Sequence, residues 1–278
     1  MARRTWPRTL LWILALLALG YLAVCVLVAA RQRDLMYFPG FTRASAVDTD
    51  LTLVVDDVRL RAWVVNPGRA HALVYFGGNA EAVEAHRDTF AHWFPGHTVY
   101  LPAYRGYGAS EGSPSEDALK RDALAFFDHA AGRHTSVDVI GRSLGSGVAA
   151  HVASRRAVQR LVLVTPFDSM VTVARHHYPW LPVDWLLRDR FDTARALARF
   201  EGEVQVVRAD RDEVIPAHST RRLIDALPRA STSEVTLAGA GHNTVDADPA
   251  YGAALQAFIR RDAQPRRPAT SAPSRRGA

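Results

Sequence analysis

The sequence predicts an α/β fold: a mainly parallel, eight-stranded sheet with helices on both faces, preceded by one apolar helix. Three observations carry this. Short β-branched runs alternate with helix-period stretches between about residues 72 and 261. One such run, 137–140, enters Gly141-Arg142-Ser143-Leu144-Gly145 and is followed by small, helix-tolerant residues, so it reads as strand, sharp turn and helix with a serine at the apex. Residues 10–30 are almost wholly apolar and uncharged, matching the roughly 20 residues a bilayer-spanning helix needs.

In chain order, residues 1–9 form a basic segment with Arg3, Arg4 and Arg8, and 10–30 form the anchor. Two rivals to an anchor exist. A cleaved signal peptide normally has a shorter apolar core, about 7–15 residues. A lipoprotein signal at Cys25 would want a small residue where Val24 stands. Runs 51–55 and 58–65 alternate apolar and polar residues around Asp56-Asp57, the pattern of an antiparallel hairpin. Strands follow at 72–76 and 98–101, with a helical stretch to about Trp93 between them. Ser115, with Glu116 and Asp117 behind it, starts a helix running to about Ala131, its acids suiting the helix dipole. After the serine turn come strands at 161–165, 204–209 and 233–237, with helices at 217–227 and 248–261. The segment 167–200 breaks this rhythm with aromatic residues and prolines, and is expected to be a small helical lid over the strand ends. Phe167, Tyr178, Trp180 and Trp185 are its expected pocket walls. The composition of 263–278, rich in Pro, Ser, Arg and Ala, predicts a disordered basic tail. The main domain is thus expected at 35–262.

The formal charge of +6 resides in the ends, with +5 before residue 34 and +4 beyond residue 262. The body carries −3, so a groove for nucleic acid is not expected. The single cysteine excludes an internal disulfide. No cluster with metal-ligand spacing stands out, and neither metal nor cofactor is expected.

A serine nucleophile needs a base, and the base needs an orienting carboxylate. In strand–turn–helix enzymes of this type the chain order is serine, acid, histidine. After strand 204–209 comes Asp210-Arg211-Asp212-Glu213, and after strand 233–237 comes Gly239-Ala240-Gly241-His242. Of 11 histidines, His242 alone follows the final strand, on a glycine-rich loop. Asp212 is preferred as the acid over Asp210 and Glu213; Asp210, nearer the strand end, suits bracing the loop. The Leu144 N–H, at a helix N-terminus, is expected to meet a developing oxyanion. Gly77-Gly78-Asn79 is placed to supply a second N–H, that of Asn79, though alone it reads as an ordinary glycine turn.

Tyr75-Phe-Gly-Gly-Asn-Ala80, Tyr104-Arg-Gly-Tyr-Gly108, Gly141-Arg-Ser-Leu-Gly145, Asp212-Glu-Val-Ile-Pro216 and Gly241-His-Asn243 together resemble the BEM46-like α/β-hydrolases. These are relatives of the serine aminopeptidase and monoacylglycerol-lipase group. The lid run Leu186-Leu-Arg-Asp-Arg-Phe191 is similar too. The resemblance covers about residues 35–261 and implies Ser143, Asp212 and His242 as a catalytic triad on a membrane-tethered domain. One departure is Gly77, where many members carry a histidine that braces the oxyanion loop. The implied activity is hydrolysis of a lipid-like ester or thioester, with a small-molecule acyl substrate and the membrane as partners. A peptidase and a non-catalytic scaffold are the alternatives. Arg3, Arg4, Arg8 and the terminal amine, against Arg31 and Arg33 beside Asp34, favour a cytoplasmic N-terminus. The expected location is the cell inner membrane, single-pass, with the domain on the outer, periplasmic side.

Overall fold

The structure, a computed structural model, describes residues 8–260. The basic segment up to residue 7 and the tail at 263–278 lie outside the described residues. Eight strands form one sheet in the order β1-β2-β4-β3-β5-β6-β7-β8. Strands β1 (Leu51–Val55) and β2 (Val58–Val65) make the antiparallel hairpin, and β2 also runs antiparallel to β4 (His97–Pro102). The other neighbours are parallel: β3 (His71–Phe76), β5 (Ser136–Arg142), β6 (Arg160–Val164), β7 (Glu203–Arg211) and β8 (Thr232–Gly241).

The central strands are buried along nearly their whole length, the signature of a parallel sheet covered on both sides. One layer links α3 (Glu116–Ala131), α4 (Leu144–Ala153), α7 (Thr193–Leu197) and α8 (Ala217–Ala226) through successive contacts. Another joins α2 (Arg87–Trp93) to α9 (Pro249–Ile259), where Trp93 meets Tyr251 edge to face. The helical stretch before Trp93 is shorter than its pattern suggests, with a 3₁₀ turn over Val83–His86 ahead of α2.

The insert between β6 and β7 folds as α5 (Met170–His177), α6 (Val183–Leu186) and α7. Its two ends are joined by Met170 N–H to the Arg190 carbonyl (2.8 Å) and Ala194 N–H to the Asp168 carbonyl (3.0 Å). Glu116 does more than suit a helix dipole. Its carboxylate accepts the N–H groups of Arg190 (2.5 Å) and Phe191 (2.9 Å), fastening the insert to the start of α3.

Helix α1 (Arg8–Met36) is long and apolar enough to cross a membrane. It extends past the apolar run because its last turns are docked. Cys25, Gln32 and Tyr37 are buried, and Asp189 of the insert accepts from Arg33 Nε (3.1 Å) and the Tyr37 hydroxyl (2.9 Å).

Candidate active site

The turn after β5 is built by sterics. Ser143 has φ +50° and ψ −116°, a strained conformation for a non-glycine residue. It is held by its own N–H on the Val164 carbonyl (2.9 Å), and its carbonyl accepts from the Ser146 N–H (2.9 Å) and hydroxyl (2.6 Å). A Cβ at Gly145 would stand 2.0 Å from the Phe76 carbonyl oxygen, and one at Gly141 would stand 2.3 Å from that of Gly145. No side chain fits either place, which is why the serine is bracketed by glycine. Gly147 answers to the insert: a Cβ there would meet the rings of Phe191 and Phe167 at 3.1 and 3.3 Å. It makes room for the roots of the insert.

The ends of β5, β7 and β8 bring Ser143, Asp212 and His242 together. His242 Nε2 lies 2.9 Å from Ser143 Oγ, and its Nδ1 lies 2.9 and 3.0 Å from the two Asp212 oxygens. The imidazole is buried and Ser143 half-buried. Asp212 Oδ1 also accepts the N–H groups of Val214 (3.0 Å) and Ile215 (2.7 Å), so its own loop orients it. Neither neighbour touches the ring. Glu213 accepts the backbone N–H of His242 (3.0 Å), and Asp210 makes a long contact to the Gly239 N–H (3.4 Å).

Leu144 opens α4, so its N–H lies outside the helix's own hydrogen-bond ladder. The loop of Gly77, Gly78 and Asn79 lies alongside: a Cβ on Gly78 would sit 3.6 Å from the Ser143 Cβ. Among the described residues no acceptor takes the Asn79 N–H. The Asn79 side chain is held at the end of α1, donating to the Met36 carbonyl (2.5 Å) and accepting from the Phe38 N–H (3.2 Å) and the Tyr107 hydroxyl (2.7 Å).

The missing loop histidine is replaced by a carboxylate that sequence reasoning passed over. Glu81 accepts from the Gly78 N–H and from the Tyr75 hydroxyl (2.6 Å), and pairs with His86 (2.6 Å) and Arg142 (3.4 Å). The Tyr104 hydroxyl ties the loop again at the Gly77 carbonyl (2.8 Å). Arg142, the residue before the serine, is buried between Glu81 and Asp246 (3.4 Å). A buried arginine demands a carboxylate, which was the available signal. Burial alone would raise the Glu81 pKa, but the His86 hydrogen bond and the Arg142 charge outweigh it and lower it from 4.5 to about 2. The folded pKa is depressed, so the stability this group contributes is present above about pH 4.5 and is lost as the pH falls toward 2. Glu81→Ala should cost about 3–5 kcal/mol at pH 7 by leaving a buried charge underpaired. In urea titrations the gap to wild type should narrow at pH 3; a gap that is constant with pH would mean that the charge is not what Glu81 contributes.

The aromatic residues of the insert are not the pocket walls expected of them. Phe167 is sealed in the core against Gly147. Tyr178, Trp180 and Trp185 face outward and are 53%, 55% and 90% exposed. Composition sets how apolar an insert is, not which side of it each ring takes.

Comparison with known proteins agrees with this architecture. Residues 64–199 match the model of the alpha/beta hydrolase fold family. The uncharacterized protein Rv2307c of Mycobacterium tuberculosis is 32% identical over 247 residues, 83% of this chain and 87% of that protein. The uncharacterized membrane protein YNL320W of Saccharomyces cerevisiae is 26% identical, over 91% of this chain and 97% of that protein. Lysophosphatidylserine lipase ABHD12 of Gallus gallus is 33% identical over 149 residues, but these make up only 46% of this chain and 39% of the lipase. Among solved structures, the Pyrococcus furiosus esterase Pf2001 superposes with a TM-score of 0.64 at 18% identity, over 77% of this chain and 92% of its own. Sheet order, serine turn and relatives agree: the chain belongs to the α/β-hydrolase family.

Proposed function

We propose that this hydrolase cleaves a carboxylic ester or thioester of a lipid-like acyl group, through Ser143, His242 and Asp212, while held in a membrane by α1. The carrying observation is the continuous line from Ser143 Oγ through the His242 ring to the Asp212 carboxylate. Ser143 Oγ attacks the acyl carbon as His242 Nε2 takes its proton. Asp212, on Nδ1, fixes the tautomer and stabilises the imidazolium. The Leu144 and Asn79 N–H groups are the donors for the oxyanion. The intermediate collapses with proton return to the leaving oxygen or sulfur, and water, deprotonated by the same histidine, releases the acid from Ser143. The lipase and esterase names among its relatives and structural neighbours support an ester substrate. The bilayer-length helix and the membrane protein among its relatives support the tether. The bias of flanking arginines supports a single-pass inner-membrane form with the hydrolase domain, about residues 35–262, on the outer side.

One labelling experiment tests chemistry and sidedness together. A membrane-impermeant fluorophosphonate added to intact spheroplasts should label the wild-type chain and not Ser143→Ala. Labelling only after lysis would place the domain in the cytoplasm, and no labelling in either case would remove the serine mechanism. Against a substrate panel, acyl esters should be cleaved far better than amino-acid anilides. Anilide cleavage without ester cleavage would make the enzyme a peptidase.

A further inference from the structure

The C-terminal half of α1 lies along the insert, and its contacts mark two levels on the helix axis. At one level, Gln32 donates to the Leu186 carbonyl (3.1 Å) and accepts the Arg188 N–H (2.7 Å), while Arg33 holds Asp189. At the other, the Tyr21 hydroxyl donates to the Trp180 carbonyl (2.8 Å). Eleven positions separate Tyr21 from Gln32, about 16 Å at 1.5 Å per residue. The uncharged run 9–30 is about 33 Å long by the same rise, close to the roughly 30 Å hydrocarbon layer. With α1 across the membrane, as in the reading above on which this inference rests, Trp180 stands about 15 Å inside the level of Arg31, near mid-layer.

The tip of the insert suits that depth. Residues 178–183 read Tyr-Pro-Trp-Leu-Pro-Val, without a charge and with two residues that lack an N–H. The carbonyls of Tyr178, Leu181 and Pro182 accept the N–H groups of Leu181 (3.0 Å), Val183 (2.8 Å) and Trp185 (3.0 Å), and the Trp180 carbonyl accepts from the Tyr21 hydroxyl. Backbone groups in hydrocarbon need such partners, whereas a loop in water does not. The nearest charges, Arg175 and Asp184, are paired with each other (2.8 Å). The three exposed rings then cease to be anomalous, because large aromatic surfaces so open to water mark a contact.

We propose that the insert is a second membrane contact: residues 178–183, with Trp185, are immersed in the leaflet from which α1 emerges, and the occupant of this surface is phospholipid acyl chain. The test uses the full chain in phosphatidylcholine vesicles with brominated or unbrominated acyl chains, read by tryptophan fluorescence. A W6F/W12F chain keeps Trp63, Trp93, Trp180 and Trp185. Its emission should drop in the brominated vesicles, and that loss should vanish when W180F and W185F are added. Ser143→Ala should behave as wild type, so the readout is independent of hydrolysis. Quenching of wild type through Trp12, with none in W6F/W12F, would leave α1 spanning and the insert outside the bilayer, overturning the proposal alone. No quenching even in wild type would overturn the anchor and the proposal together.

Discussion

Ser143→Ala and His242→Ala should each reduce ester turnover by about 10⁴-fold or more, with the chain still folded. The serine hydroxyl has one protein partner among the described residues, His242 Nε2, so its loss removes a single hydrogen bond. The strain at φ +50° lies in the backbone and is imposed by Val164 and Ser146, so alanine inherits the same conformation. Removing either residue singly should cost about as much as removing both, because base and nucleophile act as a unit. Initial rates on a p-nitrophenyl ester, paired with thermal melts, check this. Near wild-type turnover in either folded variant would refute the mechanism.

Asp212→Asn should be nearly as damaging, at about 10⁴-fold in turnover. Its side-chain oxygen would still be wanted by the N–H groups of Val214 and Ile215, which turns the amide NH₂ toward His242 Nδ1. Nδ1 would then have to accept, the proton would sit on Nε2, and the ring could not take the serine proton. Asp210→Asn and Glu213→Gln should cost far less. Glu213 needs only to accept one backbone N–H, which a glutamine oxygen also does, and Asp210 touches its loop at 3.4 Å. Steady-state rates of the three variants on one ester settle the ranking. A larger loss in Asp210→Asn than in Asp212→Asn would transfer the acid's role to Asp210.

What was legible in the sequence is what short range dictates. The serine turn could be read because Gly141 and Gly145 answer collisions within a few residues and one neighbouring strand end. The strands and the order serine, acid, histidine follow from local pattern and chain order. The brace at Glu81 could not be read, since its partner Arg142 lies 61 positions away and pairs with it only once β3 and β5 are side by side. The aromatic insert failed for a related reason. Phe167 went inward because Gly147 left a gap for it, while Trp185 stayed outside. The docking of α1 was equally hidden, because Gln32 and Arg33 meet partners more than 150 positions away.

The end of α1 also blurs where the enzyme begins. Hydropathy draws the border near residue 35, but the folding unit does not respect it. Asp189 is buried, and its partners are Arg33 and Tyr37; the Asn79 side chain grips Met36 and Phe38. A soluble version cut at the hydropathic border would lose Arg33 and leave the Asp189 carboxylate with the Tyr37 hydroxyl alone. Cut a few residues later, it would strand that carboxylate and leave the side chain of a proposed oxyanion donor held by the Tyr107 hydroxyl alone. Recombinant versions should therefore start upstream of Gln32. Low activity in a shorter one would report a damaged edge, not the catalytic capacity of the native protein.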